Sequence, residues 1–247
     1  MSEPPNGDDG LAALRQRIDA IDQQLLDLLS ARARAAQEVA AVKTARGDTH
    51  FYRPEREAQV LRTVKERNPG PLAGEEVARL FREIMSACLA LEQPIRVAFL
   101  GPEGTFTQAA AVKHFGHSAV AVPLPAIDEV FREVAAGAAD YGVVPVENST
   151  EGVVNHTLDS FFDSSLQICG EVELRIHHHL MIGPNTRADA ISRVYSHPQS
   201  LAQCRKWLDA HLPRVERITL NSNAEAARRV AGEWNSAAIA GAMAESL

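Results

Sequence analysis

The stretch 11–46 constrains this chain most, because it runs for 36 residues without glycine or proline. Its apolar residues recur at the three- and four-residue spacing of one helix face. They are Leu11, Leu14, Ile18, Ile21, Leu25, Leu28, Ala36 and Val39. A helix of this length extends about 50 Å at 1.5 Å per residue. A small monomer cannot cover so long an apolar face, so we expect a partner helix.

Three cations lie beside this apolar face. Arg32 and Lys43 are eleven residues apart, so they differ by only about 20° around the helix axis. Arg15 lies about 100° from Arg32. Arg32 and Lys43 could therefore share one pocket, whereas Arg15 points elsewhere and could reach a neighbour. Considered on the helix alone, the favoured alternative is that all three snorkel at the edge of a core, because charged residues are mostly exposed.

Composition and charge exclude several classes of protein. The 247 residues are 45% hydrophobic and 23% charged, as in a soluble globular protein of one large or two ordinary domains. The net charge of −7, with scattered cations, argues against nucleic-acid binding. No apolar run reaches membrane-spanning length, and the acidic N-terminus does not resemble a signal peptide. Three widely separated cysteines indicate neither a zinc site nor a disulfide framework, which suits the cytoplasm.

The N-terminal region reads as all-helical. Residues 1–10 are predicted to be a disordered tail. The long helix is followed by a second helix with Pro54 in its first turn and by a third over about 73–91. Residues 11–93 are therefore predicted to be a three-helix domain. It contains only three aromatic residues. So few large side chains give a monomer a small hydrophobic core, which again favours a dimer.

From residue 95 onward, strand and helix patterns alternate, which predicts an α/β domain over 95–247 with a mostly parallel sheet. The predicted strands are 95–100, 120–124, 141–146, 194–196, 215–220 and 237–240. Asp128 is predicted to cap a helix over 129–136, 201–211 is predicted to be one helix, and 166–182 a long extended segment.

Polar clusters follow three of these strands, where open α/β sheets bind ligands. Their members are candidates to line a cleft, although turn capping is an equally good explanation for Ser, Asn and Thr. The candidates are Thr105, Glu147, Asn148, Ser149, Ser196, His197 and Gln199.

Two other features are interpreted as structural. The triplet 177–179 consists of histidines, but in a strand the outer two point opposite to the middle one, and no cysteine or acidic cluster at ligand spacing accompanies them. We therefore predict no metal site. Cys88 lies on an apolar helix face and is interpreted as a core residue rather than a nucleophile.

Five stretches together resemble one family: 14–43 with its Arg15, Arg32 and Lys43, then 52–57 (YRPERE), 101–106 (GPEGTF), 144–149 (VPVENS) and 195–199 (YSHPQ). They resemble the bifunctional chorismate mutase–prephenate dehydratases of phenylalanine biosynthesis. The resemblance implies an intertwined helical mutase dimer, followed by a bilobal α/β dehydratase domain like a periplasmic binding protein. The implied substrates are chorismate and prephenate, and no cofactor is implied.

The resemblance also implies roles in the mutase site. Arg32 and Arg56 would bind the substrate carboxylates, and Arg15 would come from the other protomer. Lys43 would donate to the ether oxygen, and Glu57 would accept from the substrate hydroxyl. The chemistry fits, because a unimolecular rearrangement of a dianion needs a compact bound shape and donors where negative charge grows. The substrate-binding set also includes Arg53, Cys88 and Glu92.

Two mutase positions depart from the family pattern. Glu92 stands where many relatives have Gln, and an ionised Glu cannot donate a hydrogen bond. We therefore hypothesise that Glu92 acts when protonated, so that mutase activity falls as pH rises. Cys88 stands where relatives have Ser, which puts a polar contact there in doubt.

The second domain departs further from the family. The family's catalytic Thr-Arg-Phe triplet and the Glu-Ser-Arg-Pro motif of its regulatory ACT domain do not occur. We expect a fragment with an active mutase half and an impaired dehydratase half, and phenylpyruvate formation from prephenate would refute the latter. The alternative function is a non-catalytic, dimeric regulatory protein that binds a small carboxylate. Buried cations would not stabilise an interface that served dimerisation alone. Their presence therefore argues against the regulatory alternative.

Overall fold

The computed structural model describes residues 7–47, 52–148, 152–184 and 186–246. They form two compact units that divide between Pro94 and Ile95. The first unit is all helical, and the second is α/β.

The helical unit contains α1 (Gly7–Ala45), α2 (Pro54–Arg67) and α3 (Gly74–Ala90). Helix α1 begins at Gly7, within the predicted tail, and residues 1–6 lie outside the described residues. It ends where Gly47 adopts a φ of 74°, a conformation that favours glycine. Helix α2 begins at Pro54, as predicted.

Helix α1 has two parts with different surroundings. Residues 10–31 are exposed throughout. The large apolar residues of α1 that are 40–66% exposed are Leu11, Leu14, Ile18, Ile21, Leu25, Leu26, Leu28, Leu29, Val39 and Val42. Helix α1 also packs against α3, and its C-terminal part contains partly buried small residues, namely Ala33, Ala36 and Ala40. The described chain therefore leaves most of the predicted apolar face uncovered.

The first lobe of the α/β unit is built on a parallel sheet in the order β2-β1-β3. Its strands are β1 (Arg96–Leu100), β2 (Val120–Leu124) and β3 (Tyr141–Val143). Helices α4 (Phe106–Phe115) and α5 (Ile127–Ala135) pack on it, with Ala98, Val130 and Ala139 in the core. An antiparallel hairpin, β4 (Glu147–Asn148) and β5 (Gly152–Val153), precedes α6 (Asn155–Phe162).

The second lobe has a four-stranded sheet in the order β6-β9-β7-β8. Its strands are β6 (His179–Ile182), β7 (Arg193–Ser196), β8 (Glu216–Thr219) and β9 (Ser236–Ala240). Strand β6 is antiparallel to β9, and the other pairs are parallel. The helices are α7 (Pro198–Gln203), α8 (Arg205–His211) and α9 (Asn223–Gly232), with 3-10 turns at Ala188–Ala190 and Ala242–Ser246.

Two local predictions in this unit were wrong. Helix α5 begins at Ile127 with Ala126 at its N-cap, and Asp128 instead forms a 3.4 Å ion pair with Arg132 one turn later. The predicted helix 201–211 is two helices that meet at Cys204.

Within the predicted extended segment 166–182, His179–Ile182 forms a strand, and 166–178 has no regular secondary structure. Earlier in that segment, one hydrogen bond joins it to α4. The Lys113 Nζ donates to the Glu173 carbonyl oxygen at 2.7 Å.

No described helix combines the length and apolar character needed to cross a membrane.

Candidate active sites

One cluster in the helical unit combines two cations with a carboxyl group. Arg32 and Lys43 of α1 both act electrostatically on Glu92, which follows α3. Burial raises the pKa of Glu92 above its ordinary value, and the charges of Lys43 and Arg32 partly oppose that rise. The Oε2 of Glu92 is buried and has no hydrogen-bond partner among the described residues. A buried polar oxygen beside two cations is available to an anionic, hydrogen-bonding ligand.

A second carboxyl group, Glu57, lies between α2 and α3. Its Oε1 is 3.5 Å from the Nε of Arg82, and Tyr52 also hydrogen-bonds to it. Burial raises the pKa of Glu57, while Tyr52 and Arg82 oppose the rise. Glu57 is therefore a desolvated acceptor that two donors hold in place.

The other predicted mutase residues lie in different surroundings. Arg53 and Arg56 are exposed and, with Glu55, Gln59 and Arg62, line an open depression of about 400 Å³ on α2. The Nη1 of Arg56 donates to Gln59 Oε1 at 2.7 Å. Arg15 lies on the exposed N-terminal part of α1. Cys88 is buried in α3, as predicted for a core residue.

Thr105 caps α4 in the α/β unit, which confirms the capping alternative for this residue. Its Oγ1 accepts from the Gln108 N–H at 3.4 Å and donates to the Leu100 carbonyl oxygen at 3.2 Å. The Gln108 side chain in turn accepts from the Gly104 N–H at 2.6 Å. The turn after β1 is therefore held by side-chain hydrogen bonds at both of its ends.

A second polar network joins the start of α7 to the start of α9. Asn223 Oδ1 accepts from the His197 N–H at 3.0 Å and lies 2.7 Å from the hydroxyl of Ser196. Asn223 Nδ2 donates to Ser200 Oγ at 2.8 Å. The Gln199 N–H donates to His197 Nδ1 at 3.4 Å. Because Nδ1 accepts, a neutral His197 carries its proton on Nε2 and can donate through that atom.

Asn223 was not among the sequence-predicted site residues. It follows Ser222, which caps α9 through a 3.0 Å bond from the Glu225 N–H, so the local sequence reads as an ordinary helix start. Its contacts with Ser196 and His197 become apparent only in the folded sheet, where β7 and β8 are neighbouring strands. Arg82 escaped prediction similarly, because only the packing of α2 on α3 shows that it faces Glu57.

The remaining dehydratase candidates lie on the first lobe. Glu147 is exposed and Asn148 is partly buried, both in β4. Ser149 lies outside the described residues. Thr157 Oγ1 donates to the Pro145 carbonyl oxygen at 2.6 Å and fixes the segment just before β4.

The two lobes contact each other at Phe106 and Gly241. A Cβ on Gly241 would lie 2.5 Å from Phe106 Cε1. The Phe106 ring also meets His178 edge-to-face at 5.8 Å, and Arg228 donates to the Glu103 carbonyl oxygen at 3.4 Å. The turn that precedes α4 therefore lies against the second lobe.

The middle histidine of the triplet packs within this contact. His178 Nε2 is 2.6 Å from Gln203 Oε1. Across the described ranges, no group of three His, Cys, Asp or Glu residues could hold a metal ion.

Comparisons with known proteins match both units. Residues 14–93 match the family model of chorismate mutase type II, and residues 97–247 match that of prephenate dehydratase. A bifunctional chorismate mutase/prephenate dehydratase from Stutzerimonas stutzeri is 69% identical over 97% of this chain and 67% of its own length. The chain belongs to the bifunctional chorismate mutase/prephenate dehydratase family. A relative with the same description from Pseudomonas aeruginosa is 68% identical over the same shares.

A solved structure agrees with the dehydratase assignment. The prephenate dehydratase of Arthrobacter aurescens, in complex with L-Phe, matches with a TM-score of 0.57 and 34% identity. The match covers 62% of this chain and 52% of that chain. The chain spans about two thirds of the length of the two curated relatives described above. The family therefore has two enzymatic domains, which favours catalysis over the alternative of a regulatory binding protein.

Proposed function

We propose that the mutase domain rearranges chorismate to prephenate at a site that includes Arg32, Lys43, Glu57 and Glu92. The dehydratase domain acts on prephenate to form phenylpyruvate, and we expect this second activity to be impaired because the Thr-Arg-Phe triplet does not occur in the sequence. The observation that carries the mutase assignment is the cluster of Arg32 and Lys43 around the buried carboxyl group of Glu92. We place both reactions in the cytoplasm, where three free cysteines stay reduced.

The mutase cluster suits a cofactor-free rearrangement of a dianion. Arg32 and Lys43 supply positive charge for a carboxylate and for the ether oxygen, where negative charge grows as the bond breaks. A protonated Glu92 adds a neutral donor beside them. Glu57 accepts from the substrate hydroxyl, and Arg53 and Arg56 contribute further cations from α2. Holding the flexible substrate in one reactive shape supplies much of the rate gain.

The exposed apolar face of α1 supports a homodimer. Ten large apolar residues along one helix are 40–66% exposed, and a second copy of α1 is their natural cover because the same face recurs along its length. Arg15 lies on this part of α1. We therefore place Arg15 in the site of the partner protomer.

The dehydratase site is proposed to lie where the polar ends of both lobes converge. Prephenate loses carbon dioxide and hydroxide together, so a donor must protonate the departing oxygen. The Nε2–H of His197, oriented by Asn223 and Gln199, is suited to donate to a substrate oxygen. The remaining candidates are Thr105, Glu147, Asn148, Ser149, Ser196 and Gln199.

The mutase assignment is tested by following the loss of chorismate absorbance with the full chain. Lys43→Ala and Arg32→Ala should each lower kcat/KM by about 100-fold or more, as expected for removal of a transition-state donor. Arg34→Ala is the matched control, because Arg34 is an exposed cation on the same helix. Equal activity of all three variants with the wild type would refute the assignment.

The shared site is tested by mixing inactive chains. An Arg15→Ala chain and a Lys43→Ala chain are unfolded together, refolded and assayed. If Arg15 completes the partner's site, mixed dimers contain one intact site, and random pairing restores about a quarter of the wild-type activity. Restoration of none would show that Arg15 and Lys43 serve the same site from one chain.

A further inference from the structure

Arg82 forms an ion pair that differs from the other arginine pair on the same helix. It crosses from α3 to Glu57 on α2 at 3.5 Å, and the two side chains are only 29% and 16% exposed. Arg79, three residues earlier, pairs with Glu76 within α3, and both side chains are more than half exposed. The Arg79 pair is an ordinary surface pair of small energetic value. The Arg82 pair is interhelical and largely desolvated, and it ends on a proposed substrate-binding carboxylate.

The hydrogen-bonding capacity of Glu57 leaves room for a substrate. A carboxylate offers about four acceptor positions. Arg82 faces Oε1, and Tyr52, from the segment before α2, supplies a hydroxyl donor. These are the two groups that act on Glu57 from its surroundings, and they leave acceptor positions free. A hydroxyl of the substrate can occupy one of them.

We propose that Arg82 is a positioning residue of the mutase site, which keeps the Glu57 carboxylate ionised and oriented to accept the substrate hydroxyl. The inference rests on the proposed mutase function of this domain. Arg82 does not touch the substrate in this account. It acts through Glu57, because a desolvated carboxylate without its cation would take up a proton more readily.

The pH profile of kcat/KM separates this role from a structural one. Glu92→Gln serves as the background, because it removes the second titrating carboxyl group. In that background, the fall of kcat/KM at low pH (the acid limb) measures the protonation of Glu57. Arg82→Gln should raise the midpoint of that fall by about one pH unit or more. Arg82→Lys keeps the charge and should restore most of the shift. Arg79→Gln, the matched control, should leave the limb in place.

A double-mutant cycle completes the test. If Arg82 acts through Glu57, then Arg82→Gln has no further effect on kcat/KM once Glu57→Gln is present. Thermal unfolding of each variant, followed by circular dichroism, identifies a change that merely destabilises the fold. A uniform loss of activity at all pH values, an unmoved acid limb, or additive losses in the cycle would each overturn the proposal.

The same variants distinguish this inference from the proposed function. If Glu57→Gln retains wild-type activity, Glu57 is not the acceptor and its role in the proposed site fails. If Glu57→Gln is inactive while Arg82→Gln behaves like the wild type, only the inference about Arg82 fails.

Discussion

The mutase activity should depend on the protonation of Glu92 and therefore fall as pH rises. Burial raises the pKa of this carboxyl group, with Lys43 and Arg32 opposing. The protonated form is present below that raised pKa and can donate a hydrogen bond, whereas the ionised form can only accept. Above the pKa, the protonated fraction declines about tenfold per pH unit, and log kcat/KM should decline with a slope near −1.

The size of the fall follows from the donors that remain. Ionisation of Glu92 removes one of the donors around the ether oxygen but leaves Lys43, and Arg32 still binds a carboxylate of the substrate. Loss of one such donor typically costs about 100- to 1,000-fold in kcat. The activity should therefore level off about 100-fold below its acid plateau rather than vanish. The substrate is itself a dianion, so its binding disfavours ionised Glu92, and the limb in kcat should lie at higher pH than the limb in kcat/KM.

The assay is the initial rate of chorismate loss between pH 5 and 9 for the wild type and Glu92→Gln. The glutamine variant keeps a neutral donor at every pH, so its alkaline limb should disappear. A flat wild-type profile that Glu92→Gln leaves unchanged would refute the reasoning. A limb in kcat at lower pH than in kcat/KM would contradict the assumed contact with the dianion.

Three further predictions concern stability. Glu92 binds protons more strongly when folded, so the free energy of unfolding should decrease as pH rises from its unfolded pKa through its higher folded pKa, and Glu92→Gln should make that decrease smaller in urea titrations, leaving the contribution of Glu57. Gly241→Ala should cost about 1–3 kcal/mol because its Cβ would overlap Phe106, whereas Gly232→Ala, which meets nothing within 4 Å, should be neutral in the same titrations. Asn223→Ala should cost about 1–3 kcal/mol in chemical denaturation, since it leaves the partly buried N–H of His197 without its acceptor.

Local sequence signals predicted the helical unit well. The absence of glycine and proline in 11–46 predicted α1, and the placement of Pro54 predicted where α2 begins. The helical arithmetic also placed Arg32 and Lys43 on one side, and both act on Glu92 in the structure. These signals are reliable because helix periodicity and proline placement depend on nearby residues alone.

Predictions failed where the structure depends on contacts that the local sequence pattern does not specify. Asp128 has the chemistry of an N-cap, but the helix begins one residue earlier and Asp128 pairs with Arg132 instead. The position of Asn223 beside Ser196 depends on the order of strands β7 and β8, which no local pattern encodes.

The charge of the mutase cluster depends on the protonation of Glu92, whose pKa is raised by burial. If Glu92 were ionised, it would pair with Lys43 and Arg32 and leave the cluster with a single positive charge. A protonated Glu92 leaves two positive charges, which match the two negative charges of the proposed substrate. Arg32, Ala36, Ala40 and Lys43 are partly buried in the C-terminal part of α1, and α1 contacts α3. In the proposed homodimer, helix α1 would present its exposed large apolar residues to a partner chain and would carry Arg32 and Lys43 for the site, so that one helix would serve assembly and charge recognition together.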